Sequence, residues 1–530
     1  MILPIPKAYE RIGEVCLLPR EITVSGKGDF ARLGIGALEL LFEDVKETDK
    51  EGFVEFEYDG SLENKSEIYK IIVSKYKIKV LFRDARGAVN GAASVALLLM
   101  KGEIACGTIT DHPDCEYRSF LLDMARGVPD FKDIYRTVKY MALAKYNRLH
   151  LHLIDSKGPC YKSAVLPEYK DEGGLAQCEI SDLGGIVELC KRFAIEVVPE
   201  IEVPAHATAF CKAYPQFKCQ VENAHVWTVC PGNDDIWKYY ELLLGEIAEI
   251  FPESEYIHIG SDELEFSDLE GASKRLCHWD DCPRCAALRA REGLADRQAE
   301  FYYVIDKIHG IVRSLGKKMI MWNDQIDVSK DVPISRDILI QFWRVACPGR
   351  GPYEGCSFED FLKKGFKVIN SFYRNTYIDI EKYMDAEKMK TWSPISEPSF
   401  PPELKDGIVG GEMCAWEFGN VGEYPFYGYV IPPALAIFAD KLWSFGEREY
   451  TQEYMSALSL FVFGRVCEND VFSCIGSPIP PRKKDEVTYV APENILSRKV
   501  DECICELRCN SKSFFGETAD IYARLLERIK

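Results

Sequence analysis

At 530 residues the chain exceeds what one hydrophobic core usually supports, so two or more domains around a large apolar interior are expected. Its 84 acidic against 65 basic residues leave a formal net charge of −19, and a surface of that sign without a Lys/Arg-rich block should repel nucleic acid and anionic membrane. No window reaches the roughly 18 apolar residues of a spanning helix, and the opening MILPIPKAYERIGEV lacks the basic and apolar regions of a signal peptide, so a cytoplasmic protein acting on a neutral small molecule is expected.

Residues 1–115 read as an α+β accessory domain. Stretches 53–58 and 69–82 alternate apolar and polar side chains as half-buried strands do, and 87–100 then turns Ala- and Leu-rich with helical spacing. The turn formers and proline of DHPDCEY, 111–117, mark a boundary. Over 116–445 the rhythm becomes short apolar runs, each followed by a loop and a helical segment. Candidate strands are 119–123, 148–153, 196–200, 256–260, 318–322, 338–343, 367–370 and 407–412. Eight such alternations predict a parallel (β/α)8 TIM barrel, with a doubly wound sheet as the alternative. Residues 446–530 read as mostly helical, with a charged, Pro-containing surface loop at 477–485.

A barrel places chemistry just after its strands, on the C-terminal face. Asp155 follows the second strand, His206 the third, and Asp262 and Glu263 the fourth, while Trp322 and Trp343 end the fifth and sixth. In YIHIGSDEL, 256–264, Gly260 and Ser261 precede two consecutive carboxylates, and a turn there lets both reach one cavity. Two like charges that close raise one another's proton affinity, so one can act as a general acid while the other stays anionic. The competing reading is a helix N-cap, with Asp262 accepting amide hydrogen bonds and Glu263 exposed in the first turn.

The stretches YRSFLLDMARG (117–127), KYNRLHLHLIDSKG (145–158), VVPEIEVPAHATAF (197–210), HIGSDEL (258–264), MWNDQ (321–325), TYID (376–379) and GGEMCAW (410–416) resemble, in this order, glycoside hydrolase family 20, the β-N-acetylhexosaminidases and chitobiases. The likeness runs from LPIPKAYERIG near the start to LWSF at 442–445. It implies exo-acting hydrolysis of terminal β-linked GlcNAc or GalNAc with retention, in which the substrate's own acetamido oxygen attacks the anomeric carbon to form an oxazolinium. On this resemblance Glu263 is the general acid/base, Asp262 and Tyr377 hold the acetamido group, and Asp155 and His206 form a relay to the glutamate. Trp322, Trp343 and Trp416 would enclose the sugar. Arg118 would contact the 3- and 4-hydroxyls, with Asp379 and Glu417 near the 4- and 6-hydroxyls. The expected partner is a small-molecule glycan, homo-oligomerisation stays open, and catalysis needs no cofactor.

Three positions depart from the family's pattern: Asp155 is followed by Ser156 and Lys157, Glu202 replaces an aspartate, and Trp416 is followed by Glu417 and Phe418. These changes could shift leaving-group or 6-position preference. A relative acting on a sulfated amino sugar or releasing a disaccharide, and a catalytically silent carbohydrate-binding barrel, are the alternatives. A barrel with a protein nucleophile would need a further carboxylate within reach, for which no motif is seen.

Of the 20 cysteines, most fall in apolar contexts such as Cys190, Cys211 and Cys414 and read as reduced, buried thiols. CHWDDCPRC is different. Cys277, Cys282 and Cys285 supply three soft ligands, and His278 or a remote cysteine such as Cys230 could complete a structural zinc site, against the alternative of buried free thiols.

Overall fold

The computed structural model describes residues 2–172, 177–223, 226–264, 276–345, 355–378, 392–395, 400–416 and 431–445. The C-terminal region expected over 446–530 lies outside these residues.

Seven strands, Ala8–Cys16, Ile22–Gly26, Val45–Glu47, Val54–Tyr58, Tyr69–Ser74, Lys77–Phe82 and Ile104–Asp111, form a mixed sheet. The stretch 69–82 is a hairpin rather than one strand. Ile71 and Val73 are buried at odd positions, Ile78 and Val80 at even ones, and the phase slips across Lys75 and Tyr76 at the turn. Helix Ala85–Lys101 starts where the Asp84 carboxylate accepts the Gly87 amide at 2.7 Å and stops at Gly102, whose φ of 80° is cheap only for glycine. With helix Asp29–Leu41 it packs against the sheet and meets barrel helix Phe131–Leu143.

The remaining strands close into an eight-stranded, all-parallel barrel: Tyr117–Asp123, Arg148–His152, Glu196–Glu200, Tyr256–His258, Lys318–Trp322, Leu339–Phe342, Val368–Asn370 and Ile408–Ala415, the eighth pairing with the first. They are called the first to eighth barrel strands below. Their near-continuous apolar runs follow from burial on both faces, by the barrel interior and by the surrounding helices. No described helix is long and apolar enough to cross a membrane.

Polar residues also occupy the barrel interior. Nδ1 of His150 lies 2.9 Å from Glu412 Oε1, and Nδ1 of His258 lies 2.9 Å from Glu200 Oε1. Burial disfavours a charged His150, but Glu412 and Glu200 outweigh it and raise its pKa to about 10. Burial instead lowers the pKa of His258, so His150 pairs with Glu412 as a cation while a neutral His258 faces Glu200, and each ring gives a buried carboxylate a partner.

At the N-terminal end of the barrel the accessory domain docks through buried charge. Arg118 pairs with Glu67, and its Nη1 donates to the Cys115 carbonyl at 2.8 Å. Lys145 Nζ lies 3.5 Å from Asp111, whose other oxygen accepts the Trp443 indole N–H at 2.8 Å.

Candidate active site

The chain leaves the fourth barrel strand through a left-handed turn, with φ of 61° at Gly260, 72° at Ser261 and 50° at Glu263. Glycine suits position 260, because a Cβ there would meet Glu202 Oε2 at 1.9 Å and force that carboxylate to shift. Ser261 and Glu263 hold a conformation that side chains disfavour, by about 1 to 3 kcal/mol for such residues, and neighbours secure it. The Ser261 hydroxyl donates to the Val203 carbonyl at 2.6 Å and the Glu263 amide to Asp324 Oδ2 at 3.0 Å. The Trp227 indole donates to the Glu263 carbonyl at 2.8 Å. The turn brings consecutive carboxylates to one imidazole, and Asp262 and Glu263 lie in no described helix.

That imidazole belongs to His206, itself at φ 51°. Its Nδ1 lies 3.1 Å from Asp155 Oδ2, and its Nε2 lies 3.4 Å from Glu263 Oε2 and 3.8 Å from Asp262 Oδ2. Asp155 is anchored in turn by Arg126 Nη2 at 2.7 Å. Burial opposes charge on His206, but Asp155, Asp262 and Glu202 raise its pKa well above the usual imidazole value. Burial likewise opposes ionised Asp155, yet Arg126 and His206 hold it well below the ordinary carboxylate range. Asp262 behaves in the opposite way. Burial, with Glu263, Asp324 and Glu200 adding to it against His206, raises its pKa to about 8. Burial and the Asp262 charge push Glu202 up as well.

Aromatic rings wall the same end of the barrel. Trp343 stacks on Tyr377 at 6.1 Å and 7°, and Trp416 lies 5.7 Å from Tyr377 and 6.0 Å from Trp322. The Trp322 indole donates to Glu200 Oε1 at 2.8 Å and that of Trp343 to Asp324 Oδ1 at 3.2 Å, which fixes both ring planes. Burial, followed by nearby Cys414 and Asp262, raises the Tyr377 phenol well above its usual pKa, so it is a neutral donor.

Asp155, His206, Asp262, Glu263, Tyr377, Trp322, Trp343 and Trp416 thus gather at one mouth, while Asp379 and Glu417 lie outside the described residues. Arg118 is a correction. It is buried at the opposite end of the barrel, in the pair with Glu67, because it opens the first strand whereas the mouth is built from strand ends. An arginine that does reach the mouth is Arg126, whose Nη1 donates to Asp123 at 3.0 Å and whose guanidinium lies 5.5 Å from the centre of the Trp416 ring. Arg126, Asp324 and Trp227 escaped the sequence reading. The first two sit in YRSFLLDMARG and MWNDQ, just past the ends of the first and fifth strands, a position the barrel rule alone would have flagged.

The thiol cluster is also corrected. Cys282 and Cys285 meet Cys230 and Cys219, and Cys277 is not in the group. Local spacing drew in Cys277, but the turn over 279–281 carries the chain away from it before helix Pro283–Glu292 begins at Cys282.

The glycosyl hydrolase family 20 catalytic-domain model matches residues 115–444. A β-hexosaminidase subunit beta from Rattus norvegicus is 25% identical over 404 residues, covering 71% of this chain and 69% of the relative. Among solved structures, a GH20 exo β-N-acetylglucosaminidase from Vibrio harveyi in complex with N-acetylglucosamine aligns with a TM-score of 0.73 at 22% identity, over 86% of this chain and 76% of that one. A β-N-acetylhexosaminidase from Bacteroides fragilis aligns at 0.70 and 22% identity, over 90% and 99%.

Proposed function

Since the chain belongs to glycosyl hydrolase family 20 and is a glycoside hydrolase, we propose that it is an exo-acting β-N-acetylhexosaminidase that removes terminal β-linked GlcNAc or GalNAc with retention, using the substrate's acetamido group as nucleophile. The observation that carries this reading is the turn after the fourth strand, which aims Asp262 and Glu263 at one imidazole beside an aromatic wall. A single sugar ring suits that wall, and Tyr377 supplies a neutral hydroxyl to an oxygen that changes charge during the reaction.

The electrostatics support a division of labour. In the resting site a proton resides with the carboxylate group around Asp262, whose affinity for it is raised to about 8. An acetamido N–H donated to Asp262 favours its ionised form, as does the positive charge developing on an oxazolinium. Glu263 is the group placed to deliver a proton to the glycosidic oxygen and later to draw one from water. His206, charged between Asp155 and Glu263, holds the relay in register. Arg126 takes the role of contacting ring hydroxyls that Arg118 cannot reach, since its side chain is about one-fifth exposed at the mouth. The chemistry requires no cofactor. A reducing, cytoplasmic setting fits buried thiols such as Cys190, Cys211 and Cys414, none of which forms a disulfide.

The test compares aryl β-N-acetylglucosaminide with aryl β-glucoside. Without the acetamido group nothing attacks the anomeric carbon, and Asp262 and Tyr377 are left facing no partner. The glucoside should be cleaved at least about 10³-fold more slowly, a difference of roughly 4 kcal/mol. Product NMR should show the β-anomer first. Comparable rates, or a sugar trapped covalently on a protein carboxylate, would reject substrate assistance.

A further inference from the structure

Cys219, Cys230, Cys282 and Cys285 are buried, and their Sγ atoms all lie within 4.8 Å of one another. Cys230 Sγ is 3.6 Å from both Cys282 Sγ and Cys285 Sγ. A disulfide needs about 2.05 Å. Four sulfurs each about 2.3 Å from a central ion in a tetrahedron stand roughly 3.8 Å apart, close to the two 3.6 Å separations and inside the 4.8 Å that bounds the group. Sulfurs from three separate stretches of chain converge, whereas thiols that merely fill a core have no reason to share one point.

Two of the four cysteines stand at a helix start. Cys282 is the N-cap of helix Pro283–Glu292 and Cys285 lies in its first turn, so the helix's positive end faces both sulfurs. The Gln220 amide donates to Cys282 Sγ at 3.3 Å, an N–H to sulfur contact that steadies a ligating thiolate. Cys219 and Cys230 belong to the loop after the third barrel strand, which carries Trp227 to the Glu263 carbonyl. Cys282 and Cys285 follow the fourth strand, the strand that carries Glu263 itself. The Trp279 indole, donating to the Val229 carbonyl at 2.7 Å, joins the same two segments.

We propose that Cys219, Cys230, Cys282 and Cys285 hold a structural zinc ion that pins the third-strand loop to the segment after the fourth strand, behind the catalytic carboxylates. Four cysteine ligands leave no open coordination position, so the ion has no part in the chemical step. Binding displaces the thiol protons to solvent and leaves a tetrathiolate centre.

Full-length, tag-free protein made with zinc in the medium and purified without chelator should contain about one zinc per chain by elemental analysis. Cys282→Ser and Cys219→Ser should lose it, whereas Cys277→Ser, whose sulfur lies outside the group, should keep it. Should the ligand variants not fold, cobalt(II) exchanged into the wild-type chain still decides the matter, through the sulfur-to-cobalt charge-transfer bands and visible absorption of a tetrahedral thiolate site. None of these readouts depends on glycosidase activity. Wild-type protein without stoichiometric zinc, iron in its place, no thiolate spectrum with cobalt, or zinc loss in Cys277→Ser equal to that in Cys282→Ser would each overturn the assignment.

Discussion

Asp262 is under tension at the mouth, because a carboxyl that ionises in the proposed mechanism rests where burial and three neighbouring acids oppose ionisation. Its folded pKa of about 8 lies above its ordinary value of 3.8, so between those limits the folded chain binds a proton that the unfolded chain has already released. Stability contributed by this group is therefore present below about pH 4 and is lost as pH rises toward 8. Asp262→Asn removes the titration. Its melting temperature relative to wild type should rise between pH 5 and pH 8, measured by calorimetry at matched ionic strength. A difference that stays constant across that range would assign the proton to another group. The same substitution should weaken binding of a cationic oxazolinium mimic, since it deletes the charge facing the mimic.

At the scale of elements, the turn after the fourth strand shows how backbone conformation serves chemistry. Gly260→Ala would place a methyl group against the Glu202 carboxylate at a φ that alanine disfavours. Denaturant unfolding should report a loss on the order of 2 kcal/mol, with kcat falling as Glu263 is displaced from His206. Unchanged stability would mean that Glu202 yields freely. This turn also marks the limit of what the sequence discloses. Every barrel strand was legible within a few residues, because a strand buried on both faces reads as an apolar run bracketed by turn formers. The pairing of Asp262 with Glu263 was legible as adjacency, but no residue code announces the left-handed φ of Ser261 or Glu263. Cys219 was hidden for a different reason. It stands 63 positions before Cys282, and spacing rules see only neighbours, so they admitted Cys277 in its place.

In the whole molecule two arginines separate stability from catalysis. Arg118 and Glu67 are both buried, and removing one partner of such a pair costs about 3 to 5 kcal/mol because the other charge remains unpaired. Arg118→Ala should therefore unfold at markedly lower denaturant while its folded fraction keeps a wild-type KM for aryl β-N-acetylglucosaminide. Arg126→Ala should do the reverse, raising KM and lowering kcat with a smaller change in stability. A raised KM in the first variant would return Arg118 to the substrate. The buried charges between sheet and barrel reach further than this contrast. The accessory domain grips helix Ile431–Trp443, which follows the eighth strand: the Ile5 amide donates to Asp440 Oδ1 at 2.9 Å, Lys7 Nζ to the Trp443 carbonyl at 3.1 Å, and Asp111 accepts from Trp443. The seam between the first and eighth barrel strands is thus buckled by residues that precede the barrel in sequence. A fragment begun after position 112 would retain Arg118 and Lys145 while discarding Glu67 and Asp111, leaving two interior cations without their carboxylates. The barrel is accordingly no interchangeable cassette, and a gene fusion that transplanted it alone would inherit two uncompensated buried charges.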